Sequence, residues 1–278
     1  MKLLKNLLKE PAFVFGVTLF CLTIMLALLG PLFLTINTES QFLPYSVPGK
    51  EGLILGSDHL GRDMASMLIR GLQSSLYVGF LAGIIATTIG TLLGLIAGFR
   101  GGFIDDFINM VTNLFLVIPS FVVLLLISAS MEEGRSLLLI AVIIGLTIWP
   151  WTARSVRAQT SSLKSSEHIN LARVNGANTF TILTKHILPY LLSYVFMVFI
   201  IQIASGILSE ASISMLGLGP HDNISLGIIM NNAQQQEALG DGAWWAFVPA
   251  TFLITSIVLA LYVLNTSMEG VFNPALRK

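Results

Sequence analysis

The sequence predicts an all-α, polytopic membrane protein with six transmembrane helices, on three observations. Charged residues make up 11% of the 278 positions and hydrophobic ones 54%, whereas a soluble domain carries about 25% charge to cover its surface. The apolar residues arrive in blocks near the roughly 20 residues that a helix needs to cross a bilayer core. The basic residues, finally, crowd into alternate connecting segments.

The first block, Phe13–Leu34, follows Lys2, Lys5 and Lys9. It is longer than the 7–15 apolar residues of a signal-peptide core and lacks a clean small-x-small cleavage pattern, so it reads as a retained helix. Five more follow: Leu76–Phe99, Phe107–Ala129, Leu137–Thr152 (the shortest), Leu191–Ser209 and Trp245–Leu264. Each must be a helix, because isolated strands leave backbone groups unpaired in lipid. Continuous rather than alternating apolar runs exclude an outer-membrane barrel. With the N-terminus inside, eleven of the 15 Lys and Arg residues fall in inner segments and four (Lys50, Arg62, Arg70 and Arg135) in outer ones. That asymmetry places both termini in the cytoplasm.

Three connecting stretches carry more than a turn. In the outer loop from Thr35 to Ser75, Ser57 or Asp58 is positioned to cap a helix from about Leu60 to Leu72. Leu60, Met64, Met67, Leu68, Gly71 and Leu72 give that helix an apolar stripe suited to the outer membrane surface, and Arg62 and Asp63 pair with each other or with neighbours. The region from Glu210 to Trp244 re-enters the membrane or lies on its outer face, with Trp244 and Trp245 at headgroup level. On the inner side, Ala153–Tyr190 is too long for a turn and too polar for lipid. A short helix begins near Ser165, Ser166 or Glu167 and is partly amphipathic through Ile169, Ala172 and Val174. Gly176 interrupts it, and a second stretch, Thr179–Ile187, is ended by Pro189. The chain thus divides into residues 1–75, with the tail, the first span and the outer amphipathic segment, and residues 76–278, with an inner segment at about 165–190 that is built to be gripped from below.

Composition excludes several functions. Net charge is zero, so no basic field invites nucleic acid. Cys21 stands alone and forms no intrachain disulfide. No phosphate-binding Gly-x-x-x-x-Gly-Lys-[Ser/Thr], Gly-x-Ser-x-Gly or His-Glu-x-x-His pattern occurs. The four histidines, His59, His168, His186 and His221, form no helical metal pair, and Asp105-Asp106 reads as a solvated turn. No catalytic site, cofactor or metal is therefore expected. The spans carry almost no ionisable residues, which disfavours a proton- or sodium-coupled carrier. Asn109, Thr112, Asn113, Gln202, Ser205 and Ser209 are candidates to line a pathway, and each also reads as a helix-packing contact. Gly90, Gly94 and Gly98 allow close helix approach, either within the chain or between subunits. Pro119 and Pro249 are candidate hinges.

Asn170-Leu171-Ala172, Gly176 and Leu188-Pro189 stand at the spacing of the Glu-Ala-Ala…Gly…Leu-Pro signature of bacterial ABC importer permeases. Asn170 stands where the family has Glu and Leu171 where it has Ala, which gives Arg173 a larger part. Leu55-Gly56-Ser57-Asp58-His59-Leu60-Gly61-Arg62-Asp63, with Ser74-Ser75-Leu76 after it, resembles a segment of the oligopeptide, dipeptide and nickel permeases. Leu216-Gly217-Leu218-Gly219-Pro220, Ser225-Leu226-Gly227 and the tail Asn273-Pro274-Ala275-Leu276-Arg277 resemble further parts of that subfamily, although Ser267–Phe272 departs from its pattern before the tail. The resemblance spans residues 55 to 277 and implies the "C"-type permease of a pair, with the type I ABC importer fold in the bacterial inner membrane. It implies a coupling helix made by Asn170, Leu171, Ala172, Arg173 and Gly176, with Leu188 and Pro189 at its exit. Ala172 and Gly176 would permit close docking, and Arg173 would meet an acidic group. The partners implied are a second homologous permease, two ATP-binding subunits and an extracytoplasmic substrate-binding protein; for Gly56–Asp63 a structural turn is the favoured reading and contact with that binding protein the lesser one. Short peptides are the favoured cargo, with nickel or metal chelates next. A secondary carrier is the rival reading, and it would need intramembrane charges or an internal repeat.

Overall fold

The computed structural model describes residues 7–33, 39–50, 52–131, 135–220 and 223–272. Lys2, Lys5, His221, the Asn273–Arg277 tail, Lys278 and the start of the outer loop at Thr35 lie outside them. Nine helices carry the described fold: α1 (Pro11–Phe33), α2 (Met64–Arg100), α3 (Gly102–Val117), α4 (Ser120–Ala129), α5 (Leu137–Leu163), α6 (Glu167–Val174), α7 (Leu188–Met215), α8 (Leu226–Gln235) and α9 (Val248–Phe272). Short helical turns at Thr179–Thr181 and Ile182–Ile187 lead into α7. Five helical stretches are long and apolar enough to cross a membrane, and α3 with α4, bent by 75°, makes a sixth. All six expected segments are present, most of them longer than their apolar runs.

The centre of the bundle is α2. At 37 residues and about 1.5 Å per residue it is roughly 55 Å long, so it extends well past the hydrocarbon core. It packs most extensively on α5 and then on α7. Its glycine stripe makes the first contact possible. A Cβ on Gly90 would stand 2.5 Å from Thr152 Cβ, on Gly94 2.7 Å from the Ala153 carbonyl oxygen, and on Gly98 2.6 Å from the Arg157 carbonyl oxygen. The stripe thus serves packing within the chain. α1 lies against α9, and α8 folds onto α7 and α2.

Five expectations change. The Leu60–Leu72 stripe is not a separate surface helix. Its helical part is the first turns of α2, with Met64, Met67, Leu68 and Leu72 buried beneath α8 and the Trp245 turn. Asp63, not Ser57 or Asp58, is the cap: its carboxylate accepts from the backbone N–H of Ala65 at 3.2 Å and of Ser66 at 3.0 Å. Asp58 instead closes the preceding turn, accepting from Leu60 N–H and Arg62 N–H at 2.9 Å each and from the Arg62 guanidinium. Trp245 is buried, donating Nε1–H to the Ser57 carbonyl at 3.0 Å, while Trp244 is half exposed. The shortest expected span is in fact a 27-residue helix, because α5 continues past Thr152 to Leu163. Pro249 sits in the first turn of α9, where a missing N–H breaks no helical bond, so it makes no hinge; Pro119 marks the bend between α3 and α4.

Candidate coupling surface and pathway

The unit that joins α5 to α7 is built around α6. Glu167 in its first turn and Arg173 in its last oppose the helix dipole ends favourably. Ile169 (0% exposed) and Ala172 (7%) turn inward onto Leu95, Phe99, Val156, Ile182, Ile187 and Leu191. Leu171 (64%) and Val174 (84%) turn outward, with Phe180 (74%) beside them. Asn170 and Arg173 are exposed with them. α6 is therefore seated on its own bundle by one face and offers an apolar ridge flanked by polar groups on the other.

Ala172 faces the chain's own core, so its small size sets the approach of α6 to the bundle rather than to a partner. Gly176 ends the helix. Its N–H bonds to the Arg173 carbonyl and the Ala177 N–H to the Ala172 carbonyl, both at 3.0 Å, with Gly176 at φ +79°. This is the left-handed C-terminal cap that glycine favours. Arg173 stands 5.4 Å and Lys164 5.9 Å from the Phe99 ring centroid, within range of a cation–π interaction. The second stretch does not end at Pro189. Proline has no N–H to give, and the helix passes through by widening to a π turn in which Leu188 N–H reaches the Leu183 carbonyl. Leu188 is half-buried and Pro189 exposed.

Above this unit two cavities run along α5, α7 and α9. The upper, of about 730 Å³, is lined by Pro119, Thr147, Gln202, Ser205, Ser209 and Tyr262 among others. The lower, of about 650 Å³, shares Trp151 and Ile201 with it and adds Gln159, Tyr190, Asn265 and Glu269. Gln202 and Ser205 thus border a cavity, although Gln202 Nε2 is committed to the Ile148 carbonyl at 3.0 Å and Thr152 Oγ1 at 2.6 Å. Asn109 and Asn113 do not line either cavity. Asn109 Nδ2 donates to Asp105 at 2.8 Å, and Asn113 Oδ1 accepts from Arg154 at 2.6 Å.

Two polar groups were missed in the sequence. Asp105 is no solvated turn: it takes a two-pronged ion pair from Arg157, Nε to Oδ1 at 2.5 Å and Nη2 to Oδ2 at 2.7 Å. Glu210 lies inside α7, which runs to Met215, and is fully buried. It accepts from Ser75 Oγ at 2.9 Å and Ser214 Oγ at 2.6 Å. Among the described residues the sparse charge of the spans therefore has one buried exception. A Ser four residues after an acid at the end of an apolar run was the available signal. Among the described residues no group of three His, Cys, Asp or Glu side chains converges to hold a metal.

The described residues thus form a helical bundle with one bent pair, two cavities and a helix, α6, that presents an exposed face at one end. Residues 90–278 match the family model described as the binding-protein-dependent transport system inner membrane component. The metal-staphylopine import system permease protein CntC of Staphylococcus aureus is 34% identical over 280 residues, covering 99% of this chain and 94% of the relative. The dipeptide transport system permease protein DppC of Bacillus subtilis is 27% identical (99% and 85% covered), and the oligopeptide permease OppC of Lactococcus lactis 28% (86% and 80%). The chain belongs to the binding-protein-dependent transport system inner membrane component family, and is a multi-pass permease subunit of an ABC importer rather than a catalytic subunit.

Proposed function

We propose that this chain is one of two related permeases of an importer for short peptides, driven by two ATP-binding subunits and supplied by an extracytoplasmic binding protein. The observation that carries the coupling part is the division of α6: Ile169 and Ala172 are anchored in the bundle while Asn170, Leu171, Arg173 and Val174 are exposed on its outer face. A partner that grips that face moves the bundle with it. Both termini lie in the cytoplasm, in keeping with the eleven inner basic residues. ATP-driven closure of the partner subunits acts by favouring one of two states of the permease pair. The pathway runs past Gln202, Ser205 and Ser209.

The peptide cargo rests on relatives named for dipeptide and oligopeptide transport. A metal chelate is the second reading, because the 34% identical relative is named for metal-staphylopine import. Capture of the tagged chain from native membranes, with mass spectrometry of its partners, tests the assembly. A second permease and ATP-binding proteins are expected; recovery of this chain alone, transporting without ATP, overturns it. Uptake of labelled di- and tripeptides by the reconstituted complex then decides the cargo against uptake of chelated nickel.

A further inference from the structure

The bend at Ile118–Pro119 leaves α3 a separate arm. Phe103, Phe107, Met110, Leu114 and Val117 on it are exposed, and Thr112 is its one buried residue. Its apolar attachment is confined to the middle and upper part, where Val111 joins the small cluster around Trp149 and Phe115 meets the Trp149 ring at 5.6 Å. The cytoplasmic half is fastened by polar groups instead. Asp105, Asn109 and Asn113, four residues apart, share one face of α3. They meet Arg157 and Arg154, one turn apart on α5. Because the two helices run antiparallel, the lower acid meets the lower arginine and the upper amide the upper one. The planar guanidinium fixes the lower pair in both distance and orientation, which a single point contact does not do.

This fastening stands at a mechanical junction. Arg157 is six residues before the end of α5, and α6 begins after only Lys164, Ser165 and Ser166. Higher on the same α5, Thr147, Pro150 and Trp151 border the upper cavity, as do Ile118 and Pro119 at the other end of α3. We propose that the Asp105–Arg157 pair, backed by Asn113–Arg154, is the latch that makes α3 follow α5 when α6 is displaced, so that movement of the cytoplasmic helix reaches the Pro119 bend beside the pathway. The inference rests on the reading of α6 as the docking helix. Asp105 and Arg157 are positioning residues: they touch neither cargo nor nucleotide.

The test uses the complete importer in proteoliposomes and reads cargo transported per ATP hydrolysed, alongside the stimulated ATPase rate. Asp105→Asn keeps the shape and removes the charge. It is expected to leave stimulated ATPase within about twofold and to lower transport per ATP at least tenfold. Arg157→Lys, which keeps the charge but loses the two-pronged geometry, falls between. The exchange Asp105→Arg with Arg157→Asp is expected to recover part of the ratio that either single reversal loses, which separates a latch from general loss of structure. Unchanged transport per ATP in Asp105→Asn overturns the latch, and so does a loss that the exchange does not relieve. Leu171→Asp on the outer face of α6 tests the underlying reading separately: normal stimulated ATPase in that variant removes the docking role itself.

Discussion

Glu210 Oε2 accepts a hydrogen bond from Ser75 Oγ at 2.9 Å, across 135 positions of the sequence. The same Ser75 oxygen lies 3.3 Å from the Leu226 backbone nitrogen, which donates to it at the start of α8. Ser214 holds the other carboxylate oxygen at 2.6 Å. Glu210 and Ser75 thereby tie α2, α7 and α8 together, at the end of the bundle opposite α6. Each hydrogen bond contributes about 0.5–1.5 kcal/mol net, and a buried polar group left without its partner costs about 1–3 kcal/mol. Glu210→Ala is therefore expected to destabilise the chain by about 3 kcal/mol and Glu210→Gln by less. Thermal unfolding of the detergent-solubilised protein, followed by tryptophan fluorescence, checks the order; equal stability of all three proteins contradicts it.

The glycine stripe of α2 gives a sharper contrast. Gly94→Leu forces bulk into the Ala153 and Val156 backbone and side chain, where a Cβ alone already stands within 3 Å. Overpacking of this kind costs about 1–3 kcal/mol or more, and little correctly assembled protein should be recovered. At Gly270, inside α9, an added Cβ meets nothing within 4 Å. Gly270→Ala should be neutral or slightly stabilising. Size-exclusion profiles of the two variants measured side by side decide the matter.

At Gly176 backbone and surface effects separate. The position is open, but its φ of +79° strains any L residue, by roughly 1–2 kcal/mol. Gly176→Ala should lower local stability with modest loss of stimulated ATPase. Gly176→Arg adds bulk beside the outer face of α6 and should abolish coupling while membrane insertion remains intact. Normal stimulated ATPase in Gly176→Arg would refute the docking role of this turn.

His59 is expected to make the loop before α2 sensitive to pH. Burial pushes its imidazole below the usual histidine value, and the nearby Arg62 adds to the fall while Asp58 opposes it. Asp58 Oδ2 lies 3.9 Å from His59 Nδ1. The unfolded loop therefore binds a proton more readily than the folded one, so stability rises with pH. The contribution is fully present above about 6.5 and is lost as pH falls below that value towards the depressed folded one. Limited proteolysis of the loop should quicken across this window in the parent chain. His59→Gln should flatten that dependence; an unchanged pH profile in the variant would assign it elsewhere.

Much of the architecture is legible in the amino-acid sequence. Apolar runs at Phe13–Leu34, Leu76–Phe99 and the rest marked all six spans, because the length a helix needs to cross lipid is written in local composition. Gly176 announced the end of α6 for an equally local reason, since a left-handed cap is cheapest without a side chain. Pro119 marked the bend between α3 and α4. Of the polar pathway candidates, Gln202 and Ser205 border a cavity while Asn109 and Asn113 do not. An amide in an apolar run has the same sequence signature in both settings.

What only the tertiary structure decided are the relationships across long stretches of chain. The Met64–Leu72 stripe looks the same whether lipid or protein covers it, and α8 with the Trp245 turn proved to be the cover. Asp105 finds Arg157 52 positions away, and Trp245 finds Ser57 across 188. Periodicity says which face of a helix is apolar but not which neighbour it meets. The sequence by itself determined where the long apolar helices lie and where α6 ends. Helix packing decided which of the few polar side chains hold the bundle together, because an ion or amide in a dry interior is tolerated only where a distant partner has been brought within hydrogen-bonding distance.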